Sequence, residues 1–485
     1  MHKPIKIEQL SLSFPHKTCF EDFNAEIRHG DRIAVIGRNG NGKSSLLNIL
    51  RGVQEPTSGH IHLPADVVIG YLPQVITDFA GHSGGERVNR ALTDALSLNP
   101  NVLLLDEPTN HLDERNRRQL LRYLTNFSGT LLVISHDVNL LRQTVDTFWH
   151  IDQGWIEIFT GGFDDYQQAR DQQRASLETS LQTLKREQKA LHQSLMQEQQ
   201  RAAKSKAKGA KNISQRKWPT VVSHAKASRS QETSGRKRAA IENKKQTVMT
   251  QLAKLSIPEV IVPTFHLSAK TGRNTVLSIN QGAVGYGHDQ WIIHDIYLFI
   301  PAGHRIALLG DNGSGKSTFF KAILGDSNIV QSGEWLLPKK NSIGYLDQHY
   351  QTLFLNEKIS GQFQTVLTSI SQFMLNCSQL EIRRHLSDFL FRSQEEVNMP
   401  IEKLSGGEKA RLALAHIAAQ TPELLLLDEV TNNLDLETRQ HVIDVLKNYP
   451  GSLIVISHDR DFLRDIEIQD YYEINQGELH LCRDS

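Results

Sequence analysis

Three segments of the chain occur twice, in the same order. GRNGNGKSS at 37–45 returns as GDNGSGKST at 310–318. NVLLLDEPTNHLD at 101–113 returns as ELLLLDEVTNNLD at 423–435, and GTLLVISHD at 129–137 as GSLIVISHD at 451–459. The distances repeat as well. Lys43 precedes Gln74 by 31 residues and Lys316 precedes Gln348 by 32; Asp106 follows Ser83 by 23, as Asp428 follows Ser405; His136 follows Asp106 by 30, as His458 follows Asp428. Such self-similarity means two copies of one domain, and 485 residues leave room for both and for a third segment. One interval breaks the match. Eight residues separate Gln74 from Ser83 and 56 separate Gln348 from Ser405, so the first copy lacks 48. Because the flanking spacings are kept, the shared core is expected to be kept too. A degenerate copy without a role is the plainer alternative, and the intact chemical residues on both sides of the gap count against it.

Between the copies the composition changes. Gln, Lys, Arg, Ala and Leu dominate, with Leu177, Leu181, Leu184, Leu191 and Leu195 at a 3-4 spacing and Gln188 in the remaining slot. Ile241, Val248, Leu252 and Leu255 follow the same pattern, and Pro258 and Pro263 close it. This predicts two long antiparallel helices with a narrow apolar seam, the first from Asp164 to about Lys208. The middle, 201–245, holds fourteen Lys or Arg against Glu232 and Glu242, a net of +12 that the rest of the formally neutral chain balances at −12. A solvated hinge is the usual meaning of a charge run. At the apex of a long hairpin, one basic tip on a neutral molecule points instead to a polyanion such as nucleic acid. The start MHKPIKIEQL lacks the apolar stretch of a secretory leader. No run of about 18 apolar residues occurs, so no membrane span is expected. Cys19, Cys377 and Cys482 have neither disulfide nor metal spacing and read as inert thiols.

The repeated segments carry chemistry. Gly37-x4-Gly42-Lys43-Ser44 and Gly310-x4-Gly315-Lys316-Ser317 each follow an apolar strand and precede an apolar helical stretch, the context of a phosphate-binding loop. Glycines let backbone N–H groups turn onto phosphate oxygens, and the helix N-terminus adds positive partial charge. Lys43 and Lys316 are expected to reach the β and γ phosphates, and the Ser44 and Ser317 hydroxyls to ligate Mg2+. VLLLDE and LLLLDE read as buried parallel strands ending in paired acids. Asp106 and Asp428 would hold Mg2+; Glu107 and Glu429 would orient and polarise a water. His136 and His458 end a third apolar strand. A lone histidine there is usually a satisfied core residue; as the third part of this constellation it would reach the γ-phosphate.

With these parts in place, the chain resembles the ATP-binding cassette ATPases: phosphate loop, glutamine loop, Ser-Gly-Gly signature, Asp-Glu strand and switch histidine, twice in that order. The resemblance implies an α/β fold of two tandem P-loop ATPase domains, with ATP and Mg2+ as cofactors and ATP hydrolysis as the reaction. It implies cassettes facing head to tail, each ATP lying between one phosphate loop and the other signature. One site would then combine Gly37, Asn39, Gly40, Gly42, Lys43, Ser44, Ser45, Gln74, Asp106, Glu107 and His136 with Ser405, Gly406 and Gly407. The other would combine Gly310, Asn312, Gly313, Gly315, Lys316, Ser317, Thr318, Gln348, Asp428, Glu429 and His458 with Ser83, Gly84 and Gly85. Gln74 and Gln348 would join the serine and aspartate around Mg2+. Phe14 and Tyr286 are the candidates to stack on adenine, the plainer alternative being that each is simply core.

A narrower resemblance, over nearly the whole chain, is to the ABC-F subfamily. It rests on two cassettes in one polypeptide, no membrane domain, SGGE, EPTNHLD and the basic helical hairpin between cassettes. The domains would be 1–162, a hairpin linker at 163–258, and 259–485 with a helical subdomain at 349–404. Members of that subfamily bind the ribosome at the tRNA exit site, and their linker probes the P-site tRNA and the peptidyl-transferase region; some regulate translation and others dislodge antibiotics. The resemblance therefore implies a ribosome partner (large-subunit rRNA and P-site tRNA), a cytoplasmic location, and a monomer whose cassettes pair internally. Two other classes compete. ATPases acting on branched DNA usually add a basic C-terminal coiled coil, where here 27 residues follow His458. An energising subunit of a transporter would leave the basic hairpin unexplained. The chain also departs from the pattern. Val430 and Asn433 stand where the first copy has Pro108 and His111, and His82 stands where the second has Leu404. The eight-residue join holds no arm of the kind many members insert there. Asymmetry is the expected consequence, with the Lys316 site the weaker or slower.

Overall fold

The computed structural model describes residues 2–15, 17–74, 84–109, 112, 114–214, 239–251, 275–287, 290–311, 313–347, 350, 358–359, 362–431 and 434–482. The chain forms two bodies: residues 1–166 with 260–485, and residues 167–259. Both copies of the repeat lie in the first body. In the first copy a six-stranded sheet runs Ile69–Leu72, Val102–Asp106, Thr130–Ile134, Arg32–Gly37, Thr147–Asp152, Trp155–Thr160. All neighbours are parallel except the last pair. The second copy repeats the order with Ile343–Leu346, Leu424–Asp428, Ser452–Ile456, Arg305–Leu309, Asp470–Asn475 and Glu478–Cys482. Each copy adds a three-stranded antiparallel sheet. Lys17–Ile27, Ile5–Phe14 and Ser58–His62 form it in the first; Gln290–Pro301, Thr275–Gly287 and Val330–Leu336 form it in the second, joined to the main sheet where His294 lies opposite Glu478.

Sequence period explains the layers. VLLLD and TLLVI are buried at every residue, the unbroken apolar run of a strand covered on both faces. Alternate side chains go to opposite sides. Val102, Leu104, Leu132 and Ile134 pack with Leu46 and Leu47 of the helix after the phosphate loop, while Leu103, Leu105, Leu131 and Val133 pack with Leu120, Leu124 and Leu141. Parallel register then sets the site. Asp106 lies opposite Ile134 and Gly37 opposite Ile151, as Asp428 lies opposite Ile456. Phosphate loop, acid pair and histidine thus leave the sheet along one edge, where ligands of parallel α/β sheets bind.

The copies differ after the first-named strand of each main sheet, Ile69–Leu72 in one and Ile343–Leu346 in the other. In the second copy, Val366, Ile370, Leu386, Phe389 and Phe391 of an added helical region share a core with Leu412, Ala413 and Leu414 of the signature helix Gly406–Gln420. His416 of that helix lies 3.0 Å from Ser369 Oγ. In the first copy the signature helix is Gly84–Ser97. Counted from the paired glycines, Arg90 replaces Leu412, Thr93 replaces Ala415 and Asp94 replaces His416. These three first-copy side chains are exposed, while Val88 and Ala95 stay buried against the sheet. The face that the helical region covers in one copy is polar in the other, so the sequence of the first signature helix suits life without that region.

The second body is built on the helix Phe163–Ser214 and on residues 239–251. At 52 residues the first helix is about 78 Å long, ending six residues beyond the expected Lys208. Leu181, Leu195 and Val248 are buried, and Glu187 pairs with Lys244 at 3.0 Å. Leu252, Leu255, the two prolines and the part of the basic tip at 215–238 lie outside the described residues. The opposite characters of the two signature helices generate a contrast. Leu412→Arg should cost about 4 kcal/mol or more by burying an unpaired charge. Arg90→Leu should stay within about 0.5 kcal/mol. Denaturant unfolding of the full chain checks both.

Candidate active site

Each phosphate loop is shaped by glycines that nothing else could replace. Gly37 and Gly310 adopt φ of 143° and 141°, and a Cβ at Gly37 would sit 2.4 Å from the Ile151 carbonyl oxygen. Gly42 and Gly315, at φ 89° and 104°, abut Cys19 and Ile292 of the antiparallel sheets. Any side chain would be strained there and would clash. Gly40 and Gly313 also have positive φ. Gly42 and Gly315 cap the helices Lys43–Leu50 and Lys316–Leu324 without any side-chain hydrogen bond, which leaves first-turn N–H groups for an anion. Lys43 Nζ donates to the Gly37 carbonyl at 2.6 Å, the Arg38 carbonyl at 3.2 Å and Asn39 Oδ1 at 3.3 Å. Lys316 Nζ donates to Gly310 O at 2.7 Å and Asp311 O at 3.0 Å. Burial lowers both lysine pKa values, partly offset by Glu107 and Glu429 respectively. Ser45 and Thr318 follow Ser44 and Ser317 in the first turns of the same helices.

The acid pairs face these loops. Burial raises the Asp106 and Asp428 carboxyls, while Ser44 and Ser317 hydrogen bonds oppose the rise. Ser317 Oγ donates to Asp428 Oδ2 at 3.2 Å, and Tyr345 Oη donates to the same oxygen at 3.4 Å. Asp106 Oδ1 is buried with no hydrogen-bond partner among the described residues. A hydroxyl and a carboxylate with an oxygen to spare are hard ligands suited to Mg2+. Glu107 and Glu429 occupy the left-handed region at φ 51° and 50°, a conformation costly for a glutamate and held here twice. Their N–H groups donate to Ile134 O at 2.8 Å and Ile456 O at 2.9 Å, the carbonyls just upstream of each histidine. His136 Nε2 then lies 3.1 Å from Glu107 Oε1, and His458 Nε2 lies 3.7 Å from Glu429 Oε1. The 3.1 Å approach lacks hydrogen-bond alignment. Burial pushes Glu107 up to about 8 and His136 down to about 3, both in the direction of an uncharged pair.

The two sites differ in enclosure. Glu107 and His136 side chains are 8% and 10% exposed, against 24% and 25% for Glu429 and His458. The cause is a contact from the second cassette. Asp435 Oδ2 accepts from the Asn39 N–H at 3.3 Å, while its other oxygen caps the helix Leu436–Lys447. Leu436 packs on the first cassette's core. Arg38 grips Glu437 with two hydrogen bonds, at 2.7 and 3.0 Å. Burial alone would raise the Glu437 carboxyl; the Arg38 hydrogen bond and charge hold it below the usual range. Arg142, in the helix Val138–Thr144 that follows the first histidine, also reaches Asp461 at 3.1 Å.

Not every expected residue joins these clusters. Ser83, Asn312 and Gln348 lie outside the described residues, as do His82, His111 and Asn433. Gln74 lies exposed two residues beyond the strand Ile69–Leu72, and Gly84 and Gly85 open the first signature helix. Ser405 caps the second in a reciprocal box with Glu408, the Ser405 N–H donating to Glu408 Oε2 at 2.8 Å and the Glu408 N–H to Ser405 Oγ at 3.4 Å, which gives the SGGE form a physical reason. Gly407 lies against Thr438 of its own cassette. No hydrogen bond or ion pair among the described residues links Ser405, Gly406 or Gly407 to the first cassette. Tyr286 is exposed, its hydroxyl 3.5 Å from Thr318 Oγ1 beside the second loop. Phe14 is exposed at the end of the first hairpin, where nearby Lys17 bonds Asn41 of the loop at 2.9 Å. Sequence reading passed over Tyr345, Arg38, Asp435 and Glu437. The shared Tyr-Leu before each glutamine and the charges inside and just after the repeated segments were the available signals.

The raised Glu107 pKa has a testable consequence. A carboxyl whose folded pKa exceeds its unfolded value supports the fold below about pH 4.5 and costs stability as pH rises toward 8. Glu107→Gln should therefore raise the ligand-free melting temperature by several degrees at pH 8 and by little at pH 5. Calorimetry at both pH values measures the difference.

Comparison with known proteins agrees with this geometry. A family model described as ABC transporter matches residues 20–70 and 293–432. The chain is 28% identical to the ribosome protection protein VmlR of Bacillus subtilis over 493 residues, covering 96% of this chain and 85% of that protein. It is 28% identical to the ATP-binding protein YdiF of Bacillus subtilis, over 95% of this chain and 78% of YdiF. It is also 28% identical to the ATP-binding protein YheS of Haemophilus influenzae, over 98% of this chain and 80% of YheS. Two phosphate loops, each aimed at an acid pair and a histidine on the same parallel-sheet edge, the two segments that match the ABC transporter model, and likeness along nearly the whole chain to proteins of the ABC-F type identify an ATP hydrolase built on ATP-binding cassette domains.

Proposed function

We propose that this ATPase binds the ribosome in its ATP-bound, closed state, directs its basic linker toward the P-site tRNA and the peptidyl-transferase region, and leaves after hydrolysis. It would work in the cytoplasm as a translation factor or as a ribosome-protecting resistance protein, as a monomer with internally paired cassettes. The observation that carries the reading is the charge separation: +12 within 201–245, in the segment between two ATPase cassettes. Lys and Arg spaced along helices suit RNA phosphates, with affinity set by counterion release. The ribosome protection named in VmlR supports the same partner. No helix among the described residues is long and apolar enough to cross a membrane.

In this reading Lys43 and Lys316 leave their loop carbonyls for the β and γ phosphates, joined by N–H groups of Gly40, Gly42, Gly313 and Gly315. Ser44 with Asp106, and Ser317 with Asp428, would hold Mg2+, with Gln74 and Gln348 completing the set; the ion neutralises charge on the phosphates. Glu107 and Glu429 orient and polarise the attacking water, and His136 and His458 approach the γ-phosphate. The opposed signature segments, Ser405–Gly407 and Ser83–Gly85, present helix N-termini to it. Glu107 must ionise to act, so phosphate binding and cassette closure set the proton balance of its pair with His136. The more open Lys316 site, faced by a signature without its helical subdomain, would be the slower.

Two measurements test this. Glu107→Gln/Glu429→Gln with ATP should co-sediment with ribosomes at moderate salt, and neutralising Arg236, Arg238, Lys244 and Lys245 should flatten the log–log salt slope by up to about 3. Retention on branched DNA with no ribosome binding would sink the proposal. Of the single variants, Glu107→Gln should remove more steady-state ATPase activity than Glu429→Gln; equal losses would contradict the asymmetry.

A further inference from the structure

The residue after the first glycine of each phosphate loop is charged, and the sign reverses between copies: Arg38 in one, Asp311 in the other. The second residue of the helix after each Asp-Glu strand reverses in the opposite sense: Arg115 in the helix Glu114–Asn126, Glu437 in the helix Leu436–Lys447. One of the two resulting combinations is formed. Arg38 and Glu437 meet fork to fork, at 2.7 and 3.0 Å, the strong, orientation-specific form of an ion pair. Among the described residues no ion pair joins Asp311 to Arg115, and both side chains are exposed. The pseudo-symmetric mate of the formed contact is thus charged for pairing and open, on the side where Glu429 and His458 are also less enclosed.

We propose that these four residues are a charge-swapped pair of latches: Asp311 closes onto Arg115 when the Lys316 site closes, and the sign reversal makes a cassette accept its unlike partner while rejecting its own kind. The electrostatics follow from the positions alone. Two first cassettes placed head to tail would set Arg38 against Arg115 at both sites. Two second cassettes would set Asp311 against Glu437 at both. Only the unlike arrangement gives one attractive pair per site, and rejection by like charge is how interfaces gain specificity. The inference rests on head-to-tail pairing and is independent of what the linker binds.

Exchanging signs on one side only should invert the preference. In Arg115→Glu/Glu437→Arg, unlike cassettes meet with like charges, and like cassettes become complementary. With ATP at low salt, this double variant should need at least about 10-fold more ATP for half-maximal closure, read by fluorescence transfer between labels in the two cassettes. It should also sediment as a dimer where the unaltered chain is a monomer. Adding Arg38→Asp and Asp311→Arg restores every complementary pair and should return both readouts to within about 2-fold of the original. That recovery also separates an electrostatic effect from misfolding. A double variant that closes at ordinary ATP and stays monomeric, or a quadruple variant that does not recover, overturns the proposal. Neither readout involves ribosomes, so a failure here leaves the proposed ribosome role standing, and the converse holds.

Discussion

Parallel register at one edge of each sheet carries everything else in this molecule. Gly37, Asp106 and the Ile134–His136 segment come from three neighbouring strands and end at one level because each strand is hydrogen-bonded in step with the next. A slip of one residue would turn Asp106 toward the other face of the sheet and move Glu107 away from the Ile134 carbonyl. Unbroken apolar runs on both sides of the acids hold that step, since every strand residue is buried on one face or the other. Chemistry at the edge is thus secured by packing several residues behind it.

Enclosure then does the electrostatic work. The first site is sheltered because the second cassette lays Asp435 and Glu437 on its loop and Leu436 on the core behind it. Shelter drives Glu107 toward its protonated form and His136 toward its neutral form, because low-dielectric surroundings penalise isolated charge. Near-identical motifs in the second copy sit in a wetter setting. Two sites with the same residues therefore differ through what covers them.

The shortened first copy follows the same logic. Losing the helical region removes cover from one face of the signature helix, and that face has become polar at Arg90, Thr93 and Asp94 while the sheet-facing Val88 and Ala95 stay apolar. A decaying copy would have no reason to divide its substitutions by face. The sheet, phosphate loop and acid pair nevertheless keep the same strand order and parallel register in both copies.

Much of this was legible in the sequence. The repeats, their spacing and their order determined two α/β domains, their phosphate loops, their acid pairs and the histidines, because each motif needs fixed residue types at fixed distances along one strand–loop–helix unit. The 3-4 leucine spacing determined the long helix, though not its extension to Ser214, since helix ends depend on local capping that periodicity does not encode. Tertiary structure alone decided which side chains meet across the cassettes. Arg38 and Glu437 lie 399 positions apart, and neither residue type recurs in the other copy, where Asp311 and Arg115 stand instead, so no local pattern links them. It also decided which histidine is sealed and which is open, because burial is set by the partner surface and not by the segment that carries the residue.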